Sequence, residues 1–253
     1  MFFDSHAHLD DRRFDDDREE ILADLKNHDV GLIMNVGCDL PSSERSVALA
    51  EENAFVYAAV GSHPDDADHV NGALLDRYRT LAQHPKVRAI GEIGLDYHYE
   101  DVPRAQQIIA FEQQLELAEA LKLPVIVHER EAHGDAMEIV KRHPDIRGVF
   151  HCFSGSAEMA LWLVERGWYI GFTGVVTFKN ARRALEAVQA LPLDRILVET
   201  DCPYMAPEPY RGRRNDSRYV PLVAAKIAQL KGVSPEETGR ITTENAKRLF
   251  GIA

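Results

Sequence analysis

The chain has few cysteines, no long apolar run and no basic leader, and each shortage disfavours a class of protein. Cys38, Cys152 and Cys202 are widely spaced and form no CxxC pair, which disfavours a disulfide framework and fits a reducing compartment. No basic segment precedes an apolar stretch, and no run approaches the roughly 18 apolar residues of a membrane span. We therefore expect a cytoplasmic protein with no membrane association.

Positive charge is also scarce. The chain has 29 Lys and Arg against 41 Asp and Glu, a formal net charge of -12, which argues against a protein that coats nucleic acid through a general basic field. A nuclease stays open, because acidic residues that bind divalent cations let those cations supply the positive charge that a phosphate needs.

No GxGxxG follows the first apolar run, and no internal repeat or low-complexity linker divides the 253 residues. Instead, short apolar runs rich in β-branched residues alternate with segments of helical pattern. The runs are 2–5, 30–36, 55–60, 87–90, 125–127, 148–150, 168–172 and 195–198. The helical segments are 17–28, 42–53, 103–122, 134–142, 156–166, 180–191 and 220–231, followed by a final pair, 235–241 and 243–250. Eight such units predict a TIM-type (β/α)8 barrel, an α/β fold, in a single domain over residues 1–253.

Metal-capable side chains recur where these strands end. His6 and His8 are two residues apart, so an extended strand places both imidazoles on one face. A histidine that closes an apolar strand is more often a hydrogen-bonded rim residue than a ligand. Six candidates at one end of a barrel, where active sites of this fold lie, nevertheless favour a metal centre. They are His6, His8, Glu92, His128, His151 and Asp201.

Several other side chains have two open interpretations. Residues 210–218 contain four arginines, which either bind phosphate or balance nearby carboxylates in a solvated loop. Tyr97, Phe153 and Tyr204 either stack on unpaired bases or pack at the barrel rim. His63 follows the third strand and is predicted to contact substrate or to support a ligand.

Ordered motifs over nearly the whole length resemble those of the TatD-type metal-dependent deoxyribonucleases, a branch of the amidohydrolase-like barrels. The motifs are DSHAHLD at 4–10, GSHP at 61–64, GEIGLDY at 91–97, PVIVHER at 124–130, HCFSG at 151–155, ETDCPY at 199–204 and RGRRN at 211–215. Two departures occur: Asp216 and Ser217 stand where the family tends to have Glu-Pro, and Glu129 follows His128 where a small residue is common.

The resemblance implies two divalent cations. It places His6, His8 and Asp201 around one cation and His128 and His151 around the other, with Glu92 bridging them. Mixed imidazole and carboxylate ligands suit Mg, Mn or Zn, and the sequence leaves that choice open.

The resemblance also implies an activity. Members of the family remove nucleotides from DNA ends, so the chain is expected to act as a 3'-5' DNA exonuclease on single-stranded or frayed ends, with a role in DNA repair or turnover. A water activated by the two cations would attack phosphorus, with Glu92 and Asp201 as catalytic residues and Asp201 taking the proton. The expected substrate contacts are His63, Arg130, Arg211 and Asn215.

Two other functions stay open at this point. The same metals would serve a D-aminoacyl-tRNA deacylase or another ester hydrolase, since a carbonyl oxygen is polarised as readily as a phosphoryl oxygen. A non-catalytic, metal-stabilised binding protein is less favoured, because an open metal site at a barrel mouth is unnecessary for stability. A monomer or weak oligomer is expected.

Overall fold

The structure is a computed structural model that describes residues 1–99 and 101–253. Its strands form one eight-stranded sheet whose order follows the chain. They are β1 Phe2–Ala7, β2 Val30–Val36, β3 Val56–Val60, β4 Val87–Asp96, β5 Val125–Arg130, β6 Gly148–Phe150, β7 Tyr169–Phe172 and β8 Ile196–Val198. The α-helices are α1 Arg18–Asp24, α2 Leu40–Glu52, α3 Gly72–Leu81, α4 Arg104–Leu121, α5 His133–Arg142, α6 Ala157–Glu165, α7 Arg182–Ala190, α8 Val220–Lys231 and α9 Pro235–Phe250.

The last strand is followed by a segment that pairs with the first strand. Ala7 and Cys202 form a parallel bridge. The Asp201 N–H donates to the His6 carbonyl oxygen at 2.9 Å, and the His8 N–H donates to the Cys202 carbonyl oxygen at 2.9 Å. Sequential strand order with the first and last strands as neighbours is the topology of a TIM-type (β/α)8 barrel. The predicted fold class is confirmed.

The chain separates into two compact units. The first unit is Met1–Asn35 together with Cys152–Ala253, and the second unit is Val36–His151. Large apolar side chains such as Phe3 and Trp168 are fully buried in the first unit, as are Ile90 and Phe111 in the second. That residues 1–253 fold as a single domain stays a prediction. Over residues 1–99 and 101–253, no helix combines the length and the apolar character needed to cross a membrane.

Strand β4 is six residues longer than the apolar run predicts. The register with β5 shifts between Ile90 and Ile93, which pair with Val125 and Val127, so one extra residue of β4 is accommodated there as a bulge. The strand then continues through Gly94, whose φ is +142° and where a Cβ would lie 2.0 Å from the His128 carbonyl oxygen. Glycine is required for this close approach. Glu92 and His128 therefore lie inside paired strands, not beyond their ends.

The helices differ from prediction in several places; helix α1, for example, ends at Asp24, and residues 25–28 form a 3-10 helix. Residues 235–250 form one helix, so the predicted pair of helices is wrong. Thr242 fits within this helix because its hydroxyl donates to the Thr238 carbonyl oxygen, one turn earlier, at 2.9 Å. Helix α2 begins earlier than predicted, because Asp39, not a serine, caps it by accepting the Ser42 N–H at 2.7 Å. Helix α3, capped by Asn71, has no counterpart among the predicted segments.

Candidate metal centre

His6, His8 and Asp201, called here the HxH cluster, lie together in the first unit. The two Nε2 atoms are 3.1 Å apart, and Asp201 Oδ1 is 3.8 Å from His6 Nε2 and 3.4 Å from His8 Nε2. All three residues are buried. The extended β1 strand places both imidazoles together, as their spacing predicts.

The main chain holds Asp201 in an uncommon conformation. Its φ is +56°, in the left-handed region that Asp tolerates better than most residues. The preceding residue is fixed by Asp4, whose carboxylate accepts the Thr200 N–H at 2.8 Å and the Thr200 hydroxyl at 2.6 Å. Asp4 is fully buried, and burial raises its pKa to about 6. Asp4 thus connects the start of β1 to the segment that carries Asp201.

Asn215 supports the same segment from the other side. Its amide nitrogen donates to the carbonyl oxygens of Thr200 at 2.8 Å and Tyr204 at 2.6 Å, and its side-chain oxygen accepts the Asp216 N–H at 3.0 Å. The residue is fully buried. These bonds satisfy the donors and the acceptor of the amide within the protein.

Glu199 is a further buried carboxylate of the first unit. Its Oε1 accepts the Cys152 N–H at 2.5 Å, and its Oε2 accepts from the Ser5 hydroxyl at 3.4 Å. A Cβ at position 171 would lie 2.4 Å from Oε2, so Gly171 leaves the space that this carboxylate occupies. Replacing the glycine would displace Glu199.

Glu92, His128 and His151, called here the Glu92 cluster, lie together in the second unit. Glu92 Oε1 is 2.8 Å from His128 Nδ1 and 2.6 Å from His151 Nε2, and the two ring nitrogens are 3.1 Å apart. Glu92 and His151 are buried, and His128 is mostly buried. Three atoms that could bind a metal ion therefore converge on one small region.

Asp96 orients His128 from the opposite side of the ring. Its Oδ2 is 3.1 Å from His128 Nε2. If Nε2 carries the proton and donates to this carboxylate, the lone pair of Nδ1 points at Glu92 and His151, which is the arrangement that carboxylates impose on metal-binding histidines. Asp96 was not among the ligands predicted from the sequence. Its even spacing from Glu92 in a strand was the available signal.

The charges of the Glu92 cluster favour a cation. Burial lowers the pKa of His128, but the carboxylates of Asp96 and Glu92 outweigh burial and raise that pKa to about 10. Burial raises the pKa of Asp96, but its bonds from the His128 ring and the His98 N–H outweigh burial, and the net shift is downward. The surroundings thus stabilise positive charge where the carboxylate oxygen and the two ring nitrogens meet.

The spacing of these atoms fits a metal ion. Two ligands about 2.1 Å from one cation, at angles of 90° to 109°, lie about 3.0 to 3.4 Å from each other. The nitrogen and oxygen atoms of both clusters are separated by distances within about 0.4 Å of this range. Two imidazoles with one carboxylate is also a donor set that divalent transition metals accept. Each cluster therefore suits a divalent cation.

His63 and Arg130 adjoin the Glu92 cluster. His63 Nε2 is 3.9 Å from Glu92 Oε1, and its ring contacts the His128 ring edge-on with centroids 4.4 Å apart. His63, Glu92 and His128 form one group able to hold a metal ion. Arg130 is 4.0 Å from Asp96 Oδ2 and leaves much of its side chain exposed.

The arginines of residues 210–218 divide into two kinds. Arg214 makes a two-point ion pair with Asp17, at 2.9 and 2.5 Å. Arg218 makes one with Asp216, at 2.8 and 3.0 Å. Arg211 and Arg213 are exposed, and the Arg211 guanidinium lies 4.3 Å from the centroid of the Phe178 ring. Carboxylate balance therefore accounts for two of the four.

The three aromatic candidates also differ. Tyr97 and Phe153 are buried and pack within the protein, with the Tyr97 hydroxyl donating to Asp135 at 2.7 Å. Tyr204 is 49% exposed. Of these three residues, only Tyr204 has a ring that a ligand could reach.

A (β/α)8 barrel whose strands and the segments after them carry clusters of histidine and carboxylate side chains defines a metal-dependent hydrolase. The comparisons with known proteins agree. The family described as TatD related DNase matches residues 3–251, and the chain belongs to this family.

Relatives match over almost the whole length. The chain is 45% identical to the uncharacterized metal-dependent hydrolase YabD of Bacillus subtilis, covering 100% of both proteins. It is 37% identical to the 3'-5' ssDNA/RNA exonuclease TatD of Cronobacter turicensis, covering 98% of this chain and 97% of the relative. The crystal structure of YJJV, a TatD homolog from Escherichia coli, superposes with a TM-score of 0.93 at 32% identity, covering 100% of this chain and 98% of that one.

Proposed function

We propose that the protein is a 3'-5' exonuclease that removes nucleotides from single-stranded ends of DNA with the help of two divalent cations. The observation that carries the proposal is the Glu92 cluster, where a carboxylate oxygen and two imidazole nitrogens converge within 3.1 Å. The relative from Cronobacter turicensis, which is named as an exonuclease of single-stranded DNA and RNA, supports the nuclease activity.

The proposed ligands follow from the resemblance of the motifs to those of the family. His6, His8 and Asp201 would hold one cation, His128 and His151 the other, and Glu92 would serve both. When bound, the cations would lower the pKa of a water molecule and polarise a phosphoryl oxygen. Mg, Mn and Zn are the candidates.

The protein's own side chains have distinct tasks in this proposal. The Asp201 carboxylate accepts the proton that the attacking water loses as its oxygen bonds to phosphorus and the bond to the leaving oxygen breaks. Glu92 holds the ligand set together. Asp96 keeps the Nδ1 lone pair of His128 directed at the site.

Substrate contacts are proposed for side chains that are exposed or that lie next to the Glu92 cluster. Arg130 and Arg211 would bind phosphate, for which the planar guanidinium is suited, and His63 would contact the nucleotide beside Glu92. Because the amide of Asn215 is buried and bonded to the main chain, we propose that Asn215 acts by positioning the segment of Asp201.

The test compares substrates under one set of metal conditions. The protein is treated with chelator and then given Mg, Mn or Zn, and is assayed on 5'-labelled single-stranded DNA, duplex DNA and D-aminoacyl-tRNA. We expect a ladder of progressively shorter single-stranded products that appears only with added cation. Prompt deacylation of the tRNA without shortening of DNA would contradict the proposal and favour the ester hydrolase.

A further inference from the structure

Tyr204 presents its ring at the surface three residues after Asp201. The Tyr204 N–H donates to the Asp201 carbonyl oxygen at 2.9 Å, and the Tyr204 carbonyl oxygen accepts from the Asn215 amide at 2.6 Å. The main chain is thus held in place on both sides of the residue. The side chain is nevertheless about half exposed, although burial is the usual way to stabilise an aromatic ring.

Arg13 covers one face of this ring. The guanidinium carbon lies 4.3 Å from the ring centroid, within the range of a cation–π contact. Asp11 holds the guanidinium at two points, accepting from Nε at 2.9 Å and from a terminal nitrogen at 2.8 Å. The bond to Arg13 lowers the pKa of Asp11 to about 2, so the ion pair persists at neutral pH.

An exposed tyrosine fixed in this way is suited to stacking. A free surface side chain loses rotamer freedom when a ligand binds, whereas a ring already held by Arg13 and by its main chain loses less. Nucleobases stack on such rings without regard to sequence. A base in a duplex is already stacked on both of its faces, whereas a base at an unpaired end is available.

We infer that Tyr204, backed by Arg13 and Asp11, is a stacking platform for an unpaired nucleobase beside the bond that is cut. This inference rests on the proposed exonuclease activity and adds to it the residue that selects single-stranded ends. Arg13 acts by positioning the ring, because Asp11 already occupies two sides of its guanidinium.

The test measures binding without turnover. Chelator-treated protein is titrated into a 5'-labelled single-stranded oligonucleotide and, separately, into an oligomer of equal length with no bases, and fluorescence anisotropy is followed. We expect Tyr204→Ala to weaken binding of the normal oligonucleotide about 5- to 100-fold and of the baseless oligomer less than about twofold. Tyr204→Phe should bind like the wild type.

Trp162→Ala is the matched control, because Trp162 on α6 has Arg166 stacked 3.8 Å from its ring centroid and lies outside both ligand clusters. This variant should bind both oligomers like the wild type. Circular dichroism of each variant establishes that it is folded. Equal weakening for both oligomers by Tyr204→Ala, or none, contradicts the platform.

A parallel hydrolysis assay separates this inference from the proposed function. If the wild type shortens DNA while Tyr204→Ala binds both oligomers normally, the exonuclease stands and the platform is wrong. If Tyr204→Ala loses only the base-dependent binding while the wild type releases no nucleotide, the platform stands and the exonuclease is wrong. A wild type that binds both oligomers equally contradicts the platform.

Discussion

The two ligand clusters differ in how close together their nitrogen and oxygen atoms lie. In the Glu92 cluster the ligand atoms lie 2.6 to 3.1 Å apart, and Asp96 fixes one ring from behind. In the HxH cluster they lie 3.1 to 3.8 Å apart, and Asp201 stands beyond β8 in a left-handed conformation. A preorganised ligand set loses less entropy when it binds. Under the proposed function, we therefore expect the second unit to bind its cation more tightly than the first.

The first unit, in turn, has more of the groups that suit a substrate. Tyr204, Arg211 and Arg213 are exposed there, close in sequence to Asp201. In the second unit, Arg130 is a partly exposed cation 4.0 Å from Asp96. We therefore expect changes in the second unit to act mainly through metal binding and changes in the first unit to act on both metal and substrate.

The largest effect is expected for Glu92→Gln. The amide keeps the shape of the side chain but removes the charge that would serve both cations, and a loss of several kcal/mol corresponds to a fall in turnover of about 10³-fold or more. The measurement is kcat together with metal content per protein. Glu165→Gln, at an exposed position of α6, is the control. Turnover close to that of the wild type in a folded Glu92→Gln protein would remove Glu92 from the site.

The next largest effect is expected in metal binding, which should occur in two steps of different affinity. Calorimetric titration of chelator-treated protein with Mn²⁺ should give a tight step and a second step weaker by about tenfold or more, as the difference in preorganisation implies. His151→Ala should remove the tight step, and His8→Ala the weak one. If His8→Ala abolishes the tighter step instead, the order assigned to the two clusters is reversed.

Asp96→Asn tests the support behind His128. Such supporting carboxylates contribute about 10- to 100-fold to metal affinity or activity, so the variant should need about that much more cation to reach full turnover and should recover when the cation is supplied. Asp135→Asn is the control, because Asp135 lies in the same unit and accepts a bond from Tyr97. A loss that added cation does not restore would mean that Asp96 acts on another step.

The sequence allowed the barrel and the family to be predicted, because alternating apolar runs set the topology and the motifs are ordered along the chain. Extended spacing likewise predicted that His6 and His8 would lie together. The position of Glu92 inside β4 was not predictable, since it depends on a bulge that only the pairing with β5 reveals. Arg214 pairs with Asp17 and Arg218 pairs with Asp24, both far away in the sequence, and ion pairs between distant residues leave no local pattern.

The smallest effect is expected from the exposed arginines of the first unit. The double variant Arg211→Ala, Arg213→Ala should raise KM for single-stranded DNA several-fold and reduce the dependence of binding on salt, because about two phosphate contacts are lost. Metal affinity should not change, since neither residue belongs to a ligand cluster. Arg214→Ala is the contrasting variant. Because Arg214 makes a two-point ion pair with Asp17, this change should lower the free energy of unfolding and leave the salt dependence of DNA binding nearly unchanged. If the double variant leaves the salt dependence of binding unchanged, Arg211 and Arg213 do not bind phosphate. Phosphate binding would then be assigned to Arg130, and the proposed difference in substrate binding between the two units would be wrong.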